Sequence, residues 1–161
     1  MPNIYTIPEP DSLEPTGAKV GLEAGAEQLG LSVYLLAPGA GVVFHYHLQR
    51  EELLIVITGT LSLRTAEGWR DLPAGEVVSF PRGVNGAHGY ENRSGEPVRV
   101  IVACEQNAPN ISVYPDAAEI GIFDAAHPDD RRFGARFRIA DAVSGYGGAA
   151  PVIAPETAPR G

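Results

Sequence analysis

From Leu29 to Val113 the chain is a succession of short segments rich in β-branched and aromatic residues: LSVYLLA, VVFHYHL, ELLIVIT, TLSLRT, EVVSFP, AHGYENR, PVRVIVAC and ISVY. Each is bounded by Gly, Pro, Asn or charged residues, at the spacing of about 8–12 residues expected of an all-β sandwich or barrel. TAEG at Thr65–Gly68 reads as a hairpin turn, with Trp69–Leu72 as a short return strand and Pro73–Gly75 as the next break. No segment in this range keeps helical periodicity over three turns. Residues 1–28 are rich in Pro, Glu and Gly and read as an irregular N-terminal arm carrying one edge strand at Asn3–Ile7. After Tyr114 the alternation fades. Residues 115–161 form a partly irregular C-terminal extension, in which PDAAEIGIFDA has room for a turn or two of helix and SGYGGAAPVIAPETAPRG has the composition of a tail. The expected organisation is therefore an arm (1–28), an all-β barrel (29–114) and an extension (115–161).

ELLIVIT is apolar on both faces. Glu52, Leu54, Val56 and Thr58 share one side; Leu53, Ile55 and Ile57 share the other. Such a strand must be covered on both sides. For a small barrel the outer cover is the arm, the extension or a second subunit, and a two-fold homodimer is the expectation because it is the commonest symmetric solution.

Composition adds exclusions. Gly and Pro, 19 and 14 of 161 residues, are too dense for a fold of a few long helices. The single Cys104 leaves no intramolecular disulfide and excludes a cysteine-based zinc site. The net charge is −8, and residues 1–130 hold 18 acidic against 7 basic side chains, so nucleic acid and anionic membrane are not expected partners. The cationic cluster Arg131, Arg132, Arg136 and Arg138 is expected to dock on the acidic body. No apolar run approaches the roughly 20 residues of a membrane span. MPNIYTIPEPDSLEP has no basic region followed by an apolar stretch, so no signal peptide is expected and the expected location is cytoplasmic.

The chemistry concentrates in four histidines: His45, His47, His88 and His127. In an extended VVFHYHL, His45 and His47 point to one face and Tyr46 to the other. The turn LQRE then leads to Glu52, which can stand beside the two imidazoles; the adjacent Glu51 is the alternative if the turn is one residue shorter. A lone His-x-His in a strand is as readily two surface histidines, but the nearby carboxylate and the apolar neighbouring strands favour a site. His88 arrives through the glycine-rich FPRGVNGAHGYEN. Three nitrogens and one carboxylate suit a divalent transition metal, whereas calcium sites use hard oxygen ligands. Because each imidazole must bind neutral, metal affinity is expected to fall below about pH 6.5. His127, in AAHPDD, reads as a solvated histidine, Cys104 as a small buried residue, Asn92 and Gly83 as turn residues, and Trp69 as a cap on the barrel. Tyr34, Tyr90 and Arg64 are candidates for selecting a substrate.

These spacings resemble the cupin superfamily. Gly39, His45, His47, Glu52 and Gly59 fit the first cupin signature, G-x5-H-x-H-x3or4-E-x6-G. Gly75, Pro81, Gly83, His88 and Asn92 fit the second, G-x5-P-x-G-x2-H-x3-N, except that four residues instead of two separate Gly83 from His88. The longer turn holds Val84, Asn85 and Gly86 and reshapes the approach to His88. The resemblance, over roughly residues 29–114, implies a small double-stranded β-helix (jelly-roll) barrel. It also implies one ion of Fe, Mn, Ni, Cu or Zn held by His45, His47, Glu52 and His88. The chain looks like a small single-domain bacterial cupin of unassigned reaction. The implied function is a metal-dependent enzyme acting on a small organic molecule by Lewis-acid activation, of dioxygenase, decarboxylase or isomerase type. The alternatives are a non-enzymatic small-ligand binding or sensor protein and a metal-free structural cupin.

Overall fold

A computed structural model describes residues 2–6, 16–106, 108–123 and 134–142. Its strands are β1 (Thr16–Ala18), β2 (Leu29–Leu36), β3 (Gly41–His47), β4 (Glu52–Thr58), β5 (Thr60–Thr65), β6 (Gly68–Pro73), β7 (Val77–Phe80), β8 (His88–Glu91), β9 (Val98–Glu105), β10 (Asn110–Tyr114), β11 (Glu119–Phe123) and β12 (Gly134–Arg138). One four-residue helix, α1, spans Val20–Glu23. The strands form two sheets, β1-β2-β9-β4-β7 and β12-β11-β10-β3-β8-β5-β6, in which every pairing is antiparallel. The fold is the expected all-β double-stranded β-helix.

Alternation decides what lies between the sheets. Leu54 and Val56 of β4, Leu61 and Leu63 of β5, and Val98 and Val100 of β9 meet Leu36, Phe80 and Tyr90 in one core with essentially no exposure. The turn from β4 to β5 is tight enough to need Gly59 at φ +83°, where a side chain would be strained.

Part of the outer face of β4 is packed by the chain itself: Ile55 and Ile57 lie with Val33 and Ile101 beneath Val20 of α1, Ala18 of β1 and Ile4. Leu53, on the same face, lies outside that cluster and lines an open groove with Leu29 and Ala103. The arm differs from expectation in one respect. Asn3–Thr6 form a turn, with the Tyr5 N–H donating to Asn3 Oδ1, and the edge strand is β1 at Thr16–Ala18 instead; Ile7 lies outside the described residues. The extension differs too. PDAAEIGIF makes a single 3-10 turn at Pro115–Ala117 and then β11, and GARFR is β12, so the second sheet runs on into the extension. Ile120 and Ile139 of the extension cover the outward Phe44, Tyr46 and Val113, as the arm covers part of the other sheet. Arg136 of the cationic cluster does meet the acidic body, 3.6 Å from Glu119; Arg131 and Arg132 lie outside the described residues.

Asn92 ties the sheets at the end away from β4's first residue. It is fully buried. Its Nδ2 donates to the Leu36 and Glu96 carbonyls at 2.8 Å each, and its Oδ1 accepts from the Ser94 N–H and hydroxyl. The expected structural role holds. Asn92→Ala removes the buried donor to the Leu36 carbonyl and the acceptor of the Ser94 turn, and is expected to lower stability by about 1–3 kcal/mol. A urea titration showing less than about 1 kcal/mol of loss would contradict that account.

Candidate metal centre

Two backbone facts bring the chemistry together. His45 and His88 are direct cross-strand partners on β3 and β8, and His47 stands two residues along β3 on the same face. Glu52 comes from the facing sheet, as the first residue of β4, with Phe80 as its partner on β7. The site is therefore built across the barrel, three imidazoles from one sheet and one carboxylate from the other.

Each ring is tethered by its Nδ1. His45 Nδ1–H donates to the Val43 carbonyl at 2.8 Å, and His88 Nδ1–H to the Gly86 carbonyl at 2.8 Å. His47 Nδ1 lies 3.1 Å from Asn110 Oδ1 and 3.0 Å from Ser112 Oγ, both on β10. With the protons committed outward, the three Nε2 lone pairs face inward. His47 Nε2 sits 3.2 Å from His45 Nε2 and 3.3 Å from Glu52 Oε1, and His88 Nε2 is 3.5 Å from Glu52 Oε2. Donor atoms of His45, Glu52 and His88 all lie within 4.8 Å of one another. Two facing nitrogen lone pairs beside a carboxylate form a donor set that a divalent cation satisfies and a neutral interior does not. All four expected residues are brought together.

The extra residues before His88 serve this geometry. Val84–Gly86 make one 3-10 turn, and its last carbonyl is the acceptor that holds His88. A Cβ on Gly86 would stand 1.8 Å from the Pro81 carbonyl oxygen, so only glycine fits the turn. Phe80 stacks on the His88 ring, centroids 3.6 Å apart, and shields it from water.

Residues 32–104 match the family model described as a cupin domain. The chain carries a cupin domain over these residues. None of the curated proteins compared matches it. Among solved structures it is similar to a sugar phosphate isomerase of the cupin superfamily from Silicibacter pomeroyi, with TM-score 0.71 and 25% identity, over 80% of this chain and 78% of that one. A putative sugar phosphate isomerase from Acidithiobacillus ferrooxidans aligns with TM-score 0.70 and 19% identity, over 80% and 78%. A polyketide cyclase from Streptomyces resistomycificus aligns with TM-score 0.55 and 22% identity, over 65% and 78%. No helix among the described residues of this cupin is long and apolar enough to cross a membrane.

Of the four residues of the cupin's candidate metal centre, Glu52 also lines a cavity of about 300 Å³, together with Tyr34, Ser32, Cys104, Lys19 and Arg50, among others. Tyr34, of the three candidates for selecting a substrate, lines this cavity. Tyr90 is buried in the core, and Arg64 lies on the outer face, paired with Asp116 and 4.3 Å over the Phe44 ring. Glu51 is exposed, so the inward carboxylate is that of Glu52. Cys104 is half-buried and faces the cavity, and Trp69 is an exposed residue of β6 beneath the Arg93 guanidinium, not a cap. His127 lies outside the described residues. Sequence reading missed Asn110 and Ser112, whose signal was there: polar residues at alternate positions of NISVY share one face.

Burial, with the neighbouring His88 and His47, lowers His45 from 6.5 to about 4. Burial likewise lowers His88. Both rings are therefore neutral at lower pH than their type suggests, and proton competition with a metal at these two ligands starts below the expected pH 6.5. Burial pushes Glu52 up, but the hydrogen bond from His47 and the positive charges of His47, His88 and His45, all supplied once the rings are protonated, outweigh it and hold the carboxyl at about 2. In each case the unfolded chain binds protons more readily than the folded one, so stability is lost as pH falls. Metal-free protein is expected to lose stability from about pH 6.5 to pH 4 through His45, by up to about 1.4 kcal/mol per pH unit, with His88 adding to the loss in the same direction. Urea midpoints that stay level across this window would show that the histidines are not buried together.

Proposed function

We propose that this cupin is a metal-dependent enzyme of isomerase type that acts on a small hydroxylated organic molecule. The observation that carries the reading is the convergence of three imidazole Nε2 atoms on the Glu52 carboxylate, which also stands on the wall of an open cavity. His45, His47, Glu52 and His88 would hold the ion, one of Fe, Mn, Ni, Cu or Zn. Bound there, it supplies Lewis-acid polarisation of a substrate oxygen. Similarity to a sugar phosphate isomerase at 25% identity supports the isomerase class over the dioxygenase and decarboxylase classes.

The chain's own groups serve such a reaction. Burial raises the Tyr34 phenol above its ordinary value, so its Oη keeps its proton at neutral pH and donates a hydrogen bond to a substrate oxygen. Ser32, beside it on the inner face of β2, adds a second hydroxyl to the cavity. Phe80, stacked on His88, and the apolar core below exclude water from the inner side of the site. Asn110 and Ser112 orient His47 from behind.

Elemental analysis of purified protein is expected to find one transition ion per chain, and His47→Ala to lower metal content and turnover together. Ser112→Ala removes only a contact behind His47 and is expected to weaken metal binding about tenfold. Turnover is to be followed on a panel of aldoses, ketoses and their phosphates. Metal content below about a tenth of an equivalent after loading would end the metal reading. Full loading with ligand binding but no turnover would instead favour a binding or sensor cupin.

A further inference from the structure

Asn110 belongs to two surroundings at once. It opens β10, two residues before Ser112, which is the partner of His47 across β10 and β3. From there its Oδ1 lies 3.1 Å from His47 Nδ1, behind the candidate metal centre. Its own partner on β11, Phe123, lines the cavity with it, as do Glu52, Tyr34 and Ser32. Glu52, which is one of the four expected ligands, and Asn110, which touches another, thus stand on the same cavity wall.

The two ends of a planar amide have opposite hydrogen-bonding character, so fixing one end fixes what the other offers. His47 can give its Nε2 lone pair to an ion only as the tautomer that carries its proton on Nδ1. That proton needs an acceptor, and Asn110 Oδ1 is there, with Ser112 Oγ beside it 3.0 Å from the same nitrogen. Turned round, the amide would set an N–H against Nδ1. The ring would then accept at Nδ1, carry its proton on Nε2, 3.3 Å from Glu52 Oε1, and lose the lone pair that binds an ion. The ion-binding arrangement therefore leaves Nδ2 as the end that Asn110 offers to the cavity. Nδ2 makes no hydrogen bond among the described residues.

We propose that the Asn110 amide does two jobs: Oδ1 holds His47 in its metal-binding tautomer, and Nδ2 donates a hydrogen bond to a carbonyl oxygen of the substrate. The inference rests on the function proposed above and narrows its substrate class to hydroxylated carbonyl compounds. Asn110 is a positioning residue toward the metal and a specificity-determining residue toward the substrate. The Tyr34 phenol, which burial keeps protonated, is a second donor on the same wall, so this part of the cavity favours oxygens that accept.

The test compares the full chain with Asn110→Ala and Asn110→Asp. Cobalt(II) serves as the ion, because its visible absorption responds to its ligands, and dihydroxyacetone, a neutral hydroxylated ketone, as the probe. Metal affinity is measured first, by competition with a chelating dye. Asn110→Ala is expected to weaken it about tenfold. Asn110→Asp is expected to restore it to within about threefold, since a carboxylate oxygen accepts from Nδ1–H as the amide oxygen does. The cobalt-loaded proteins are then titrated with dihydroxyacetone. The unaltered protein is expected to bind it, and both variants about fivefold more weakly, as the loss of one neutral hydrogen bond requires. The Asp variant is decisive, because it keeps the acceptor for His47 and lacks the donor for the ketone; should Asn110→Ala not fold, it decides alone. Three results would each overturn the proposal: undiminished metal affinity in Asn110→Ala, undiminished ketone affinity in Asn110→Asp, or no binding of dihydroxyacetone by the loaded unaltered protein. Failure of the unaltered protein to take up cobalt sinks the metal reading itself, whereas equal uptake by every form sinks only the role of Asn110.

Discussion

Three imidazole nitrogens and one carboxylate point at the same small volume, and the rest of the fold depends on how that is arranged. The rings come from β3 and β8, the carboxylate from β4 in the other sheet. A one-residue slip of β4 would turn Glu52 outward and with it Leu54 and Val56, which fill the core. The apolar pattern that packs the barrel is therefore the same pattern that places the carboxylate. A register that satisfies one satisfies the other, so the site does not have to be held against the preferences of the strand.

The electrostatic cost is met locally. Burial holds His45 and His88 neutral, with His45 near 4, while the carboxylate beside them is held ionised near 2. Neutral rings with their protons turned outward and an ionised Glu52 turned inward make a donor set already in its metal-binding protonation state. Each outward proton has its own acceptor: a carbonyl of the same strand for His45, a carbonyl from the inserted turn for His88, and polar groups of β10 for His47. The lengthened turn in the second signature is thus part of the support for the ring it delivers.

Legibility in the sequence followed the range of the forces. The strands of the barrel, the shared face of His45 and His47, and the inward Glu52 were readable because alternation is local and its period is two. The edge strand was misplaced to Asn3–Ile7 because a three-residue strand such as TGA has no periodicity of its own. It is defined by pairing with β2, where Gly17 lies so close to Tyr34 that a Cβ would stand 2.6 Å from the ring. The strands of the extension were obscured for a related reason. β11 is read in isolation as an acidic, glycine-broken segment, yet it becomes a strand by pairing with β10 and covering Tyr46. The need to cover the outer face of ELLIVIT was readable, but not that the arm covers Ile55 and Ile57 and leaves Leu53 on an open groove.

Net charge and local charge also part company here. A formal −8 spread over the surface argues against polyanion partners, since their binding sums over many exposed contacts. It says little about a cavity, because exposed charges beyond about 8 Å are largely screened at physiological salt. Inside that distance the wall carries charges of both signs, since the Glu52 carboxylate beside the histidines shares the cavity with Arg50 and Lys19. What an incoming molecule meets there is governed by the few groups within a screening length and not by the total.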